Sequence, residues 1–214
     1  MQKIITVITF FISIVLTAQS QSAYFLTYPT LTPDGQTVIF SFEGDLWKAS
    51  VSNGQASRLT AMEGNETNPR VSPDGKWIAF TGRQYGNADV FIMPINGGEV
   101  KQITFHSGND EVDSWSWDSK HIYFTSTRYS RSSGYKVSLN GGTPERVFGD
   151  NYFQYDHNLV EHPTSGEIFF NDTWESSNQA ARKRYKGPFN PDIQSYNLKT
   201  KQHKKYTDWE GKDF

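Results

Sequence analysis

The 214-residue chain contains no cysteine. That single absence removes disulfides, thiolate zinc sites, iron–sulfur clusters and cysteine nucleophiles. Charge of either sign is not in excess: 21 Lys plus Arg face 23 Asp plus Glu, for a net charge of −2. No global basic field exists to hold nucleic acid or an anionic membrane. Long apolar runs are missing after residue 17, as is any apolar stripe of helical period outside the first twenty residues. Aromatic area is plentiful, with Phe 15, Tyr 11 and Trp 6 making up 15% of the chain. That much aromatic surface excludes disorder for the bulk of the sequence.

The first twenty residues read as an address. Met1-Gln2-Lys3 carries one positive charge, Ile4 to Thr17 carries none, and Ala18-Gln19-Ser20 supplies small residues where a signal peptidase cuts. A membrane-spanning helix needs about 20 apolar residues, so the run suits a secretory signal; an uncleaved N-terminal anchor is the alternative. Export is expected, to the periplasm or the medium, with the mature chain beginning near Gln21 and no further membrane segment.

The remainder, residues 21–214, is organised by repetition. Thr32-Pro33-Asp34-Gly35 returns as Ser72-Pro73-Asp74-Gly75, then as the degraded Ser116-Trp117-Asp118-Ser119, then as Pro163-Thr164-Ser165-Gly166. Each word precedes a β-rich triplet: Val38-Ile39-Phe40, Ile78-Ala79-Phe80, Ile122-Tyr123-Phe124 and Ile168-Phe169-Phe170. A second run follows, at Asp45-Leu46-Trp47, Asp89-Val90-Phe91, Gly134-Tyr135-Lys136 and Asp192-Ile193-Gln194. Asn53-Gly54, Asn96-Gly97-Gly98, Asn140-Gly141-Gly142 and the weaker Lys199-Thr200 then signal a hairpin, with Asn-Gly suited to a two-residue turn. Closing runs complete each unit: Arg58-Leu59-Thr60, Gln102-Ile103-Thr104, Arg146-Val147-Phe148 and Lys205-Tyr206-Thr207. Pro fixes φ at a turn corner, and Asp-Gly supplies an acceptor and a positive φ. Four short strands per forty-odd residues is the spacing of a propeller blade. A β-sandwich also uses short strands but does not require the same turn words at a fixed period. The expected fold is an all-β propeller of four-stranded antiparallel blades. Four blades are present, as part of a six-bladed ring that is incomplete at the C-terminus.

Val71 to Phe80 (VSPDGKWIAF) and Asp89 to Thr104 (DVFIMPINGGEVKQIT) resemble the WD40-like repeats of TolB and of tricorn-type peptidases. His106 to Val112, running into Trp115-Ser116-Trp117-Asp118, is similar to the connector that opens a tricorn blade. Arg184-Tyr185 with Pro191 to Thr200 and Tyr206 to Asp213 resembles the fourth-blade region of exported tricorn homologues. The resemblance implies an N-terminal propeller that gates or binds peptides for a serine peptidase. The resemblance also implies a second propeller, a PDZ-like domain and a peptidase core further on, with the catalytic serine and histidine downstream of both propellers, so no position here inherits them. Partners implied are peptides, or downstream peptidase domains of the same polypeptide; a homo-oligomer is compatible, nucleic acid is not expected. A stand-alone TolB-like periplasmic binding or scaffold propeller, and the propeller of a prolyl-oligopeptidase-type hydrolase, are the alternatives.

A search for chemistry within the chain yields no catalytic, cofactor or metal assignment. No Gly-x-Ser-x-Gly occurs. Tyr155-Asp156-His157-Asn158 with Glu161-His162 gathers metal-ligand residue types, but the spacing fits no zinc register, and strand alternation is expected to separate the two histidines. Asp45, Asp89 and Asp192 fall one per blade, which suits bonding to strand amides better than calcium. Arg182-Lys183-Arg184-Tyr185-Lys186 lies in a long insertion between Phe170 and Asp192. Arg182 and Arg184 are the candidate peptide-binding residues, because guanidinium forks match carboxylates.

Overall fold

The computed structural model describes residues 25–129, 132–149, 155–172 and 192–208. These form four separate four-stranded sheets, each an antiparallel meander in chain order, with no helix among the described residues. Blade 1 comprises β1 (Thr27–Leu31), β2 (Thr37–Phe42), β3 (Asp45–Ser50) and β4 (Ala56–Arg58). Blade 2 comprises β5 (Glu66–Val71), β6 (Trp77–Gly82), β7 (Asp89–Pro94) and β8 (Lys101–Gln102). Blade 3 holds β9 (Asp110–Trp115), β10 (His121–Ser126), β11 (Ser133–Ser138) and β12 (Glu145–Arg146). Blade 4 holds β13 (His157–Glu161), β14 (Glu167–Asn171), β15 (Ile193–Asn197) and β16 (Gln202–Lys205).

The repeated turn word works through its first residue as well as its Asp-Gly. The Thr32 hydroxyl donates to Asp34 Oδ1 (2.6 Å) and accepts from the Thr37 amide (3.0 Å), while Asp34 Oδ1 also accepts from the Gln36 amide. Ser72 with Asp74 and Ser116 with Asp118 repeat the arrangement. In the degraded third copy Ser119 takes the left-handed conformation (φ 59°) that Gly35 and Gly75 take elsewhere. In the fourth copy His162 stands where the other copies have the hydroxyl residue, its amide donating to the Glu167 carbonyl, and its Nδ1 accepts from the Thr164 and Ser165 amides.

Two details of the sequence reading are corrected. The two-residue hairpin of blade 1 is Glu43-Gly44, both at positive φ (51° and 88°), and joins β2 to β3. Asn53-Gly54 does lie in the expected hairpin, between β3 and β4, but in a loop longer than two residues in which the Gly54 amide reaches the Ser50 carbonyl. In blade 3 the run is displaced by one residue: Phe124 pairs with Tyr135 as Phe80 pairs with Phe91, so Ser133, not Gly134, holds the position of Asp45 and Asp89.

The triplets alternate their side chains between neighbouring blades, and three buried clusters result. Ile39 and Leu46 of blade 1 meet Ile78, Phe80, Phe91 and Met93 of blade 2. Ala79, Val90, Ile92 and Ile103, on the other face of blade 2, meet Trp115, Ile122, Phe124 and Val137 of blade 3. Tyr123, Val147 and Phe148 then meet Leu159, Ile168 and Phe170 of blade 4. Full burial of a side chain such as Phe80 or Ile122 stabilises by about 1.5–3 kcal/mol, so the seams between blades carry the aromatic surplus noted in the sequence. Trp117 adds a polar clasp at the rim, its amide and Nε1 both donating to Glu161 of blade 4 (2.8 and 2.6 Å).

Asp45, Asp89 and Asp192 do not bond strand amides, contrary to expectation. The amide beside each one, at Leu46, Val90 and Ile193, donates instead to the hydroxyl of Thr60, Thr104 or Thr207 (2.8–3.0 Å). The hydroxyl then donates to a carboxylate: Asp89 in blade 2, Asp192 in blade 4, and Glu66 of the next blade in blade 1. Asp45 and Asp192 bind the cations Arg58 and Lys205. Blade 3 carries Phe148 where the threonine would stand, and the Gly134 amide donates to Asp156 of blade 4 (2.8 Å). A buried amide must find an acceptor, and the short strand β12 leaves a side chain to supply it.

Candidate functional site

The first strand of every blade, β1, β5, β9 and β13, pairs on one side only. These strands follow one another along the inner edge of the array, so their free edges line a groove. Each is interrupted by a bulge at the last residue of the triplet: the registers skip Phe40, Phe80 and Phe170, and in blade 3, where Phe124 pairs with Val112, the shift falls between Tyr123 and Phe124. The pairs of residues at the bulges are Tyr28-Pro29, Asn68-Pro69, Val112-Asp113 and Asn158-Leu159. Tyr28, Asn68 and Asn158 adopt left-handed backbone (φ 53°, 51° and 56°), a conformation asparagine tolerates better than other side chains. Bulges turn a strand and re-aim its side chains. Here they put Tyr28, Asn68, Asp113 and Asn158 on the wall of one cavity of about 580 Å3, together with Asn109 and Ser132. A second hollow of about 520 Å3 shares Arg70, Asp113 and Asn158 and continues toward Val160 and Phe169.

The charges on this wall are largely committed to the protein itself. Arg70 Nε donates to the Asp113 carbonyl (2.8 Å) and its Nη1 to the Pro69 carbonyl. Burial lowers the Arg70 pKa from its ordinary value. Glu111 pairs with Arg83 at 3.0 Å. Asp113 Oδ2 accepts from Thr125, and burial nevertheless pushes its carboxyl up to about 7. Trp115 Nε1 donates to the Arg70 carbonyl (2.8 Å) and the Ser114 hydroxyl to the Leu159 carbonyl (2.6 Å). Side chains of one blade thus take backbone acceptors on the open edge of its neighbour, a standard protection for an edge strand. The remaining surface is a neutral, hydrogen-bonding wall.

Of the residues singled out in the sequence, Arg182 and Arg184 lie outside the described residues, as does the segment Met1 to Ser20. His157 is buried at the start of β13 while His162 caps a turn at its far end, so the strand separates them. No group of three or more metal-ligand residues is found among the described residues. Sequence reasoning missed the groove residues because the inner strand precedes the turn word and shares no motif between blades. One signal was available: Tyr28-Pro29 and Asn68-Pro69 place proline inside a strand, which marks an edge or a bulge.

Four antiparallel blades packed face to face, with their first strands along a common groove, define a β-propeller. The family described as the tricorn protease N-terminal beta propeller domain matches residues 23–214, and the chain belongs to that family. Tricorn protease homolog 1 of Streptomyces coelicolor is 34% identical over 77 residues, which is 36% of this chain and 7% of that protein. A tricorn-like protease N-terminal subunit of Sulfurisphaera tokodaii is 35% identical over 68 residues, 29% of this chain and 35% of that one. The chain therefore spans about a third or less of the curated relatives that it matches. The crystal structure of tricorn protease superposes with a TM-score of 0.71 at 21% identity, covering 87% of this chain and 18% of that one. TolB from Acinetobacter baumannii gives 0.65 at 20% identity, covering 84% and 43%. At such identities the structural likeness speaks to the fold.

Proposed function

We propose that this chain is a non-catalytic propeller that receives peptides for a serine peptidase domain outside it. The observation that supports this reading is the inner groove, roomy enough for a strand of peptide and walled by ionisable groups that are hydrogen-bonded within the protein. A surface of that kind can hold a chain without demanding a charge of one sign from it. Family membership in an N-terminal propeller domain supplies the peptidase context, and the catalytic residues belong, on this reading, to a domain outside the chain. Completion of the array to six blades and export directed by Met1 to Ser20 belong to the same proposal. An intact-mass measurement from a secreting host tests export: loss of the first twenty residues is expected, and their retention contradicts it.

The binding test is fluorescence anisotropy with a labelled, unstructured peptide, using the protein and its Ser132→Trp variant. Ser132 lies on the groove wall, so an indole there occupies the space. Binding weakened at least about tenfold with an unchanged melting temperature supports the reading. Equal affinity for both proteins overturns it. No cleavage of the peptide above background is expected from either.

A further inference from the structure

Resting on the peptide-receiving reading, we propose a recognition mode: the groove reads the main chain of an extended peptide and is indifferent to its side chains. Three observations lead there.

The first is the repetition of the bulge. In blades 1, 2 and 4 the inner strand is broken opposite the same phenylalanine of the triplet, at Phe40, Phe80 and Phe170, and in blade 3 the shift falls beside it, between Tyr123 and Phe124. Tyr28, Asn68 and Asn158 therefore hold one level on blades 1, 2 and 4, where blade 3 carries Val112. Two of them, Asn68 and Asn158, are asparagines in left-handed backbone, and Asn109 joins them on the wall.

The second is what these carboxamides leave unused. Asn109 Oδ1 accepts from the Ala88 amide and Asn158 Nδ2 donates to Asn171. The Asn109 Nδ2 donor, the Asn158 Oδ1 acceptor and both ends of Asn68 have no partner among the described residues. A carboxamide carries the donor and acceptor of a peptide group, so spare carboxamide groups suit the alternating N–H and C=O of an extended strand. Recognition through the main chain gives affinity without sequence preference unless side-chain pockets are added.

The third is the absence of an uncommitted charge of fixed sign on the described wall. Arg70 is turned onto two backbone carbonyls, Glu111 is paired with Arg83, and the half-buried Asp113 carboxyl accepts from Thr125. A wall built to select acidic or basic side chains would present such a charge to the groove.

The test compares four labelled peptides of equal length: a neutral reference, a glutamate-rich one, a lysine-rich one, and a depsipeptide of the reference with alternate amides replaced by esters. Ester replacement removes main-chain donors with little change in shape. The protein is measured beside the double variant Asn68→Gly/Asn158→Gly, in which glycine accepts the positive φ and only the carboxamides are lost. Binding of the three amide peptides within about threefold of one another is expected. The depsipeptide and the double variant should each weaken binding about tenfold, as the loss of one or two hydrogen bonds predicts. Strong binding that survives both changes but follows side-chain charge overturns the main-chain inference and leaves peptide reception standing. No binding of any amide peptide overturns both.

Discussion

Replacement of Asp156 by asparagine gives the sharpest energetic prediction. Asp156 is fully buried immediately before β13, and its Oδ2 accepts from the Gly134 amide of blade 3 at 2.8 Å. Burial pushes its carboxyl from an ordinary value of 3.8 up to about 6, opposed by the bond from Gly134 and by the charge of Arg146, and reinforced by Asp172. The folded protein therefore holds this proton longer than the unfolded chain does. The stabilisation from the protonated form is complete below about pH 4 and is lost as pH rises through 6. Ionising such a carboxyl in the fold costs up to about 3 kcal/mol, and relaxation around the site reduces that to about 1–3 kcal/mol. Asp156→Asn keeps an oxygen for the Gly134 amide and cannot ionise. Urea unfolding followed by tryptophan fluorescence should show parent and variant within about 0.5 kcal/mol at pH 4.5. At pH 8 the variant should be more stable by about 1–3 kcal/mol. Asp156→Ala, which orphans the Gly134 amide, should lose about 1–3 kcal/mol at pH 4.5, and less relative to the parent at pH 8, where it also removes the buried charge. An asparagine variant no more stable than the parent at pH 8 refutes the reasoning.

The remaining predictions concern the seams and turns. Gly134→Ala brings a methyl group within 2.5–2.7 Å of the Leu159 methyls across the seam between blades 3 and 4. It should cost about 1–3 kcal/mol in urea unfolding, and a neutral result contradicts the close packing described. Thr104→Val removes the acceptor for the Val90 amide and the donor to Asp89. A loss of about 1–3 kcal/mol is expected, with Thr104→Ser losing less; equal losses would assign the effect to packing. Below pH 4 the parent should weaken again, because hydrogen bonds from Thr32, Ser72 and Ser116 hold Asp34, Asp74 and Asp118 below the ordinary carboxylate range. Those contributions are present above the unfolded value and fade as pH falls, so Ser72→Ala should flatten the acid limb of the stability profile.

The repeat was legible because it is written in residues with strong local physics. Pro-Asp-Gly and its relatives fix a turn on their own, and the triplets announce strands that are buried on both faces. Less visible were features that depend on a partner distant in sequence. Thr104 accepts the Val90 amide fourteen residues away, and nothing in a closing run of Gln-Ile-Thr says so. The displaced register of blade 3 arose because Gly134 was aligned with aspartate by position. The pairing shows it occupying the site of Leu46 and Val90, its missing side chain filled by Leu159. The groove residues were the least legible. Tyr28, Asn68 and Asn158 matter through their backbone conformation, and single left-handed residues at bulges leave little trace beyond the proline beside two of them.

The account stands most directly on where a peptide lies. An amide chemical-shift titration of the isotopically labelled protein with an unstructured dodecapeptide measures that. Perturbations gathered on Tyr28, Asn68, Asn109 and Asn158 and fading toward β4, β8 and β12 are the predicted result. Perturbations confined to those outer strands, or none at saturating peptide, would contradict it.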